Sequence, residues 1–214
     1  VLTKALEDTS EDVRSQATHA LGELRVREAV PALQRALSDK SEDVRRNSLH
    51  ALSQLGATEA IPAVARALRE DRSADVREHA AFALSQFRDP STVEPLVQAL
   101  KDESAGVREK AVFALAEIKD ESAIPGLIAA LSDSQADVRE QAAFALSQFR
   151  DPRAVEPLIG ALRDTNPDVR EKVAFALGEL RDPRAIDALT AALKDQSADV
   201  REKVVWALSE IADK

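Results

Sequence analysis

The chain contains no cysteine and no methionine, and it holds only 6 glycines in 214 residues. Without cysteine there can be no disulfide, no thiolate metal site and no cysteine nucleophile. Aromatic residues make up only 3%. The bulk is alanine, leucine, arginine and acidic residues, a mixture that favours helices and gives little support to strands. No excess of basic charge is present: the formal net charge is −9, the opposite of the footprint expected of a nucleic-acid binder. No apolar run approaches the ~20 residues needed to span a membrane. No signal or transit segment is legible. The start at Val1 and the lack of methionine lead us to expect a segment of a larger protein.

What the chain does have is a repeat. Val-Arg occurs at 13–14, 44–45, 76–77, 107–108, 138–139, 169–170 and 200–201, at spacings of 31, 32, 31, 31, 31 and 31 residues. The single extra residue lies before Asp71 and is expected to form a small bulge in a turn. Each unit divides into two helical patterns, A then B. With the Val of Val-Arg numbered zero, B-helix positions 0, 4, 7, 8 and 11 are apolar in almost every copy, as in Val138, Ala142, Ala145, Leu146 and Phe149. That is an amphipathic helix, with its stripe expected near position 11. Ser, Asn or Gln three residues before the Val is the expected N-cap, and Pro167 after Asn166 fits the first helical position. The A helices carry a proline in their early turns (Pro31, Pro62, Pro95, Pro125, Pro157). One helix pair cannot bury its own apolar face, whereas stacked pairs can. We therefore expect an all-α fold of seven helix pairs, the first truncated. They would form one domain over 1–214, with repeats at about 1–26, 27–57, 58–89, 90–120, 121–151, 152–182 and 183–214.

The unit text, of the form AVEPLIxALxDxxxDVRExAAFALxxLRDP, resembles the short HEAT repeats of the phycobilisome-lyase-like group, over essentially the whole chain. Ankyrin and tetratricopeptide signatures are absent despite similar periods. The resemblance implies a right-handed α–α superhelix with B helices on the concave side. It also implies a structural ladder of Asp in the turn and Arg early in helix B. Here those residues are Asp8, Asp39, Asp71, Asp102, Asp133, Asp164 and Asp195, with Arg14, Arg45, Arg77, Arg108, Arg139, Arg170 and Arg201. A row of arginines could alternatively bind anions, but each has an Asp beside it in sequence.

One column stands out. Position 6 of helix B reads His19, His50, Phe82, Phe113, Phe144, Phe175 and Trp206, taking five of the seven aromatic residues, while Phe87 and Phe149 occupy position 11. Five residues on a helix turn about 140° net, so Phe144 and Phe149 cannot face the same core. Positions 2, 6, 9, 10 and 13 are expected on the concave face. Position 2 supplies Glu78, Glu109, Glu140, Glu171 and Glu202, and position 3 supplies Lys110, Lys172 and Lys203. Two readings of the column stand side by side. The rings close the crevices between repeats, or they form an apolar track for a partner. An acidic, aromatic face would suit a basic or amphipathic polypeptide. At helix spacings of 8–10 Å, seven rungs would span roughly 50–60 Å.

The HEAT-like deoxyhypusine hydroxylases hold iron through His-Glu dipeptides, but none of His19, His50 and His79 precedes a Glu. No nucleophilic triad or phosphate loop is legible. The expectation is a non-catalytic protein-interaction scaffold with no metal and no cofactor, binding neither nucleic acid nor membrane. A lyase-like, chromophore-handling accessory protein and an architectural or engineered scaffold remain as alternatives. Neither end carries an obvious polar capping repeat, so the ends are expected to be covered by further sequence or by self-association.

Overall fold

The computed structural model describes residues 2–212. Among them there are fourteen α-helices and no strand. In chain order they are α1 (Leu2–Ala5), α2 (Glu11–Glu23), α3 (Val30–Ala36), α4 (Glu42–Gln54), α5 (Ile61–Glu70), α6 (Ala74–Phe87), α7 (Val93–Ala99), α8 (Ala105–Ile118), α9 (Ile124–Ala130), α10 (Ala136–Phe149), α11 (Val155–Ala161), α12 (Pro167–Leu180), α13 (Ile186–Ala192) and α14 (Ala198–Ala212). Odd-numbered helices are the A members of each pair and even-numbered ones the B members.

The A helices are short for a sequence reason. Each from α3 onward follows a single 3-10 turn, and the prolines fall in the first turn, where their missing N–H costs nothing. Asp89, Asp120, Asp151 and Asp182 accept the amide two residues on at 2.8–3.0 Å and so set those turns. The extra residue before Asp71 does not form the expected turn bulge. It is absorbed by α5, which runs ten residues to Glu70 where α3 and α7 have seven. Five B helices are followed by a non-glycine residue with φ near +50° (Arg25, Arg88, Lys119, Arg150, Arg181), and after α4 the place is taken by Gly56. A cation there faces the negative end of the helix dipole, which offsets part of the left-handed strain.

The chain divides into two compact units, Val1–Ala114 and Leu115–Lys214. In the first, α4 packs between α2 and α6, with α3 on α4 and α5 on α6. In the second, α12 packs between α10 and α14, while α9, α11 and α13 lie on α10, α12 and α14. The cores are aliphatic. Leu33, Val44, Leu52, Val64, Leu84 and Leu96 are fully enclosed in the first unit, and Leu127, Val138, Leu146, Leu158, Val169 and Leu177 in the second. Each such side chain contributes about 1.5–3 kcal/mol on burial.

The buried stripe differs from the one expected. Position 11 lies at its edge, since Leu24 is 65% exposed and Phe149 and Leu180 are half-buried, although Phe87 is enclosed. Position 9, expected on the open face, is buried at Gly22, Ser85, Ser147 and Gly178, half-buried at Ser53 and Ala116, and exposed at Ser209. A helical wheel gives the direction of a side chain but not the neighbour that covers it.

Candidate partner-binding face

The arginines of the B helices bridge successive repeats. Arg14 donates from Nε and Nη2 to both carboxylate oxygens of Asp39 (2.7 and 2.8 Å). Arg45 does the same to Asp71, Arg77 to Asp102, Arg139 to Asp164 and Arg170 to Asp195, all within 3.0 Å. The third nitrogen, Nη1, donates to the carbonyl of the Asp of its own repeat, in every copy from Asp8 to Asp195. Each of these Asp carboxylates also accepts the amide two residues on, as Ser41 donates to Asp39 and Asn166 to Asp164. That bond does much of the work assigned to the N-cap side chains. Ser73 and Asn166 also cap with their own side chains. The Arg139 and Arg170 hydrogen bonds hold Asp164 and Asp195 below the usual carboxylate range against the opposing effect of burial. With their donors so engaged, these guanidinium groups are the mortar between repeats.

The position-6 column lies on the open side of the B helices. Phe82, Phe113 and Phe144 are 41%, 46% and 46% exposed, His19 and His50 are exposed, and Phe175 and Trp206 are half-buried. In the second unit the rings overlap like shingles. Phe144 and Phe175 stack at 6.2 Å between centroids, and Phe175 and Trp206 at 5.2 Å with planes 11° apart. At Gly178 the missing side chain is what makes room for the Trp206 ring. A Cβ on Gly178 would stand 2.6 Å from Cζ3 of Trp206. Ser85 and Ser147 fold their hydroxyls back onto the carbonyls of Phe82 and Phe144 (both 2.7 Å), so no polar group is left bare beneath the column. This shelf of small residues was not singled out from the sequence. Its signal was there in the recurrence of Gly22, Ser53, Ser85, Ala116, Ser147, Gly178 and Ser209 at the repeat spacing.

Cations sit over the rings. Lys172 Nζ lies 6.0 Å from the Phe144 centroid, and Lys203 Nζ lies 5.8 Å from that of Phe175 and 5.7 Å from that of Trp206. Lys110 is exposed. Position 2 belongs partly to the seam. Glu140 pairs with Lys172 at 3.4 Å. Arg46, at the same position in the second repeat, reaches Asp75 at 2.8 Å. Glu78 lies over Gly106, where an added Cβ would collide with its carboxylate. Glu109 and Glu171 are half-buried and Glu202 is exposed. Among the described residues no group of three or more His, Asp or Glu side chains is placed to hold a metal ion.

The profile of the HEAT-repeat family matches residues 1–85, 61–143 and 124–209. The chain belongs to the HEAT-repeat family. Human deoxyhypusine hydroxylase, solved with glycerol, is 26% identical to this HEAT-repeat chain, covering 100% of it and 84% of the hydroxylase at a TM-score of 0.53. The complex of CpcE and CpcF of phycocyanin lyase from a Nostoc species matches at 24% identity, 98% and 93% coverage and a TM-score of 0.60. Kap95p, solved bound to RanGDP, reaches a TM-score of 0.76 at 18% identity, covering 99% of this chain and 34% of its own. The last two likenesses are likenesses of fold. No curated protein matches the sequence.

Proposed function

We propose that this HEAT-repeat protein is a non-catalytic protein-interaction scaffold. The exposed B-helix face takes a polypeptide that is basic or amphipathic. One observation carries the reading. A chain with 3% aromatic residues places five of its seven on a single column, and three of those rings keep more than two-fifths of their surface open. Rings that served packing alone would be covered on both sides, and large aromatic side chains are the usual anchors of interfaces. The lysines over the rings and the glutamates beside them add polar contacts at the rim, the arrangement typical of an interface. Protein association also occurs among the structural neighbours, in the CpcE–CpcF complex and in Kap95p with RanGDP. The ladder, by contrast, spends its arginines on the scaffold itself.

The test is selection of peptides from a random library on the purified chain, followed by binding to a variant with Phe113, Phe144 and Phe175 replaced by Ala. The reading expects selected peptides rich in Lys, Arg and apolar residues that the folded variant no longer holds. Retention by that variant would move the binding site elsewhere.

A further inference from the structure

The junction between the second and third repeats departs from the pattern of the others. The residue after the ladder Asp is Thr9, Glu103, Ser134, Thr165 or Gln196 in five repeats, but a cation, Lys40 and Arg72, in these two. The residue before the Ala-Leu pair of helix A is Arg66 in the third repeat, where repeats four to seven have Gln98, Ala129, Gly160 and Ala191. A residue that the stacking of repeats demands would recur along the array. Lys40, Arg66 and Arg72 do not recur in the later repeats, so packing does not account for them.

These three cations line one cavity of about 450 Å³, formed by the ends of α3 and α5 and the turns that follow them. Leu37, Ala63 and Ala67 give it an apolar floor. Each of the three acids that line it is already engaged. Asp39 receives the fork of Arg14, Asp71 that of Arg45, and Glu70 accepts from Arg69 at 2.6 Å. The turn carbonyls are engaged as well: those of Asp39 and Lys40 accept from Arg45. Arg72 Nη2 also donates to the Lys40 carbonyl at 3.1 Å, which pins the guanidinium between the two turns. Its Nε and Nη1 find no acceptor among the described residues, and neither Lys40 nor Arg66 has an acidic partner there. In a chain of net charge −9, three uncompensated cations therefore share one concave site.

We propose that this cavity binds a phosphate monoester, with Lys40, Arg66 and Arg72 on the phosphate oxygens and the organic group against Leu37 and Ala67. A carboxylate would bring one charge and two oxygens to three cations, whereas a phosphate monoester brings close to two charges and three acceptor oxygens. The site uses none of the ring-column residues, so it stands or falls apart from the reading of that column.

Isothermal titration calorimetry at about pH 7.5, where the ester is close to a dianion, tests this. Phenyl phosphate and an alanine-flanked phosphoserine pentapeptide should both bind, and the same peptide with plain serine should not. Arg66→Gln and Arg72→Gln, at exposed positions that leave the ladder intact, should each weaken binding about tenfold or more. Arg35→Gln removes the same charge from the equivalent exposed place one repeat earlier, outside the cavity, and should leave affinity unchanged. A phosphopeptide held more tightly than phenyl phosphate identifies a phosphorylated polypeptide as the source, and one held no more tightly identifies a small ester; either supports the site. The proposal is overturned if the folded wild-type chain binds neither ester, if the plain serine peptide binds as well as the phosphorylated one, or if Arg35→Gln costs as much as Arg66→Gln and Arg72→Gln.

Discussion

Arg139 and Asp164, 25 residues apart in sequence, are joined by two parallel hydrogen bonds of 2.6 and 2.8 Å with both side chains largely covered. The pair ties the start of α10 to the turn that precedes α12. Removing the cation leaves a covered carboxylate without its partner, which costs far more than loss of a surface ion pair. Arg139→Ala should lower unfolding stability by about 3 kcal/mol. Arg139→Lys should recover only a minor part, because an ammonium cannot fork onto both oxygens. Urea denaturation of the three proteins checks both statements.

The same pairs set a pH dependence. At Asp164 and Asp195 the arginine hydrogen bonds depress the folded-state pKa below its unfolded value. At Asp39 and Asp102 burial is the largest single effect and opposes ionisation, but the arginine and backbone hydrogen bonds and the charges of nearby cations together outweigh it. A depressed carboxylate contributes stability above its unfolded pKa and loses it as pH falls through the folded one. Thermal midpoints should therefore stay level near neutrality and fall below about pH 4. Asp164→Asn should lower the neutral midpoint and flatten part of that acid slope.

Two glycines should answer oppositely to alanine. At Gly160, inside α11, an added methyl would meet nothing within 4 Å, so Gly160→Ala should stabilise by about 0.5–1 kcal/mol through the unfolded chain. At Gly178 the same methyl would stand 2.6 Å from the Trp206 ring and 2.9 Å from Cα of Ala207. Gly178→Ala should cost about 1–3 kcal/mol and shift Trp206 fluorescence as the ring is displaced.

The phenylalanines separate by place. Phe87 is 8% exposed, so Phe87→Ala should cost about 3 kcal/mol. Phe144→Ala should cost about 1 kcal/mol or less. Phe149, half-buried rather than central, should fall between them. Chemical denaturation of the three variants ranks them directly.

Much of this was legible in the sequence because a repeat shows each choice seven times. The helix pairs and the ring column follow from period and residue type, and the ladder is what the resemblance to HEAT repeats implies. The carboxylate that each such arginine grips lies one repeat on, as Arg139 with Asp164. Position 9 was misplaced because a small polar residue reads as surface, and only the helix packed across Ser147 or Gly178 shows it to be a seat. The glutamates of position 2 read as a free acidic row, yet Glu78 and Glu140 are engaged across the seam, which no single-helix pattern reveals.

Calorimetric titration of library-selected peptides measures whether the exposed rings hold a partner. Into the wild-type chain the peptides should bind. Into the Phe113→Ala, Phe144→Ala, Phe175→Ala variant, folded by circular dichroism, affinity should fall at least about tenfold. Equal affinity for both proteins would mean that the rings do not hold the partner.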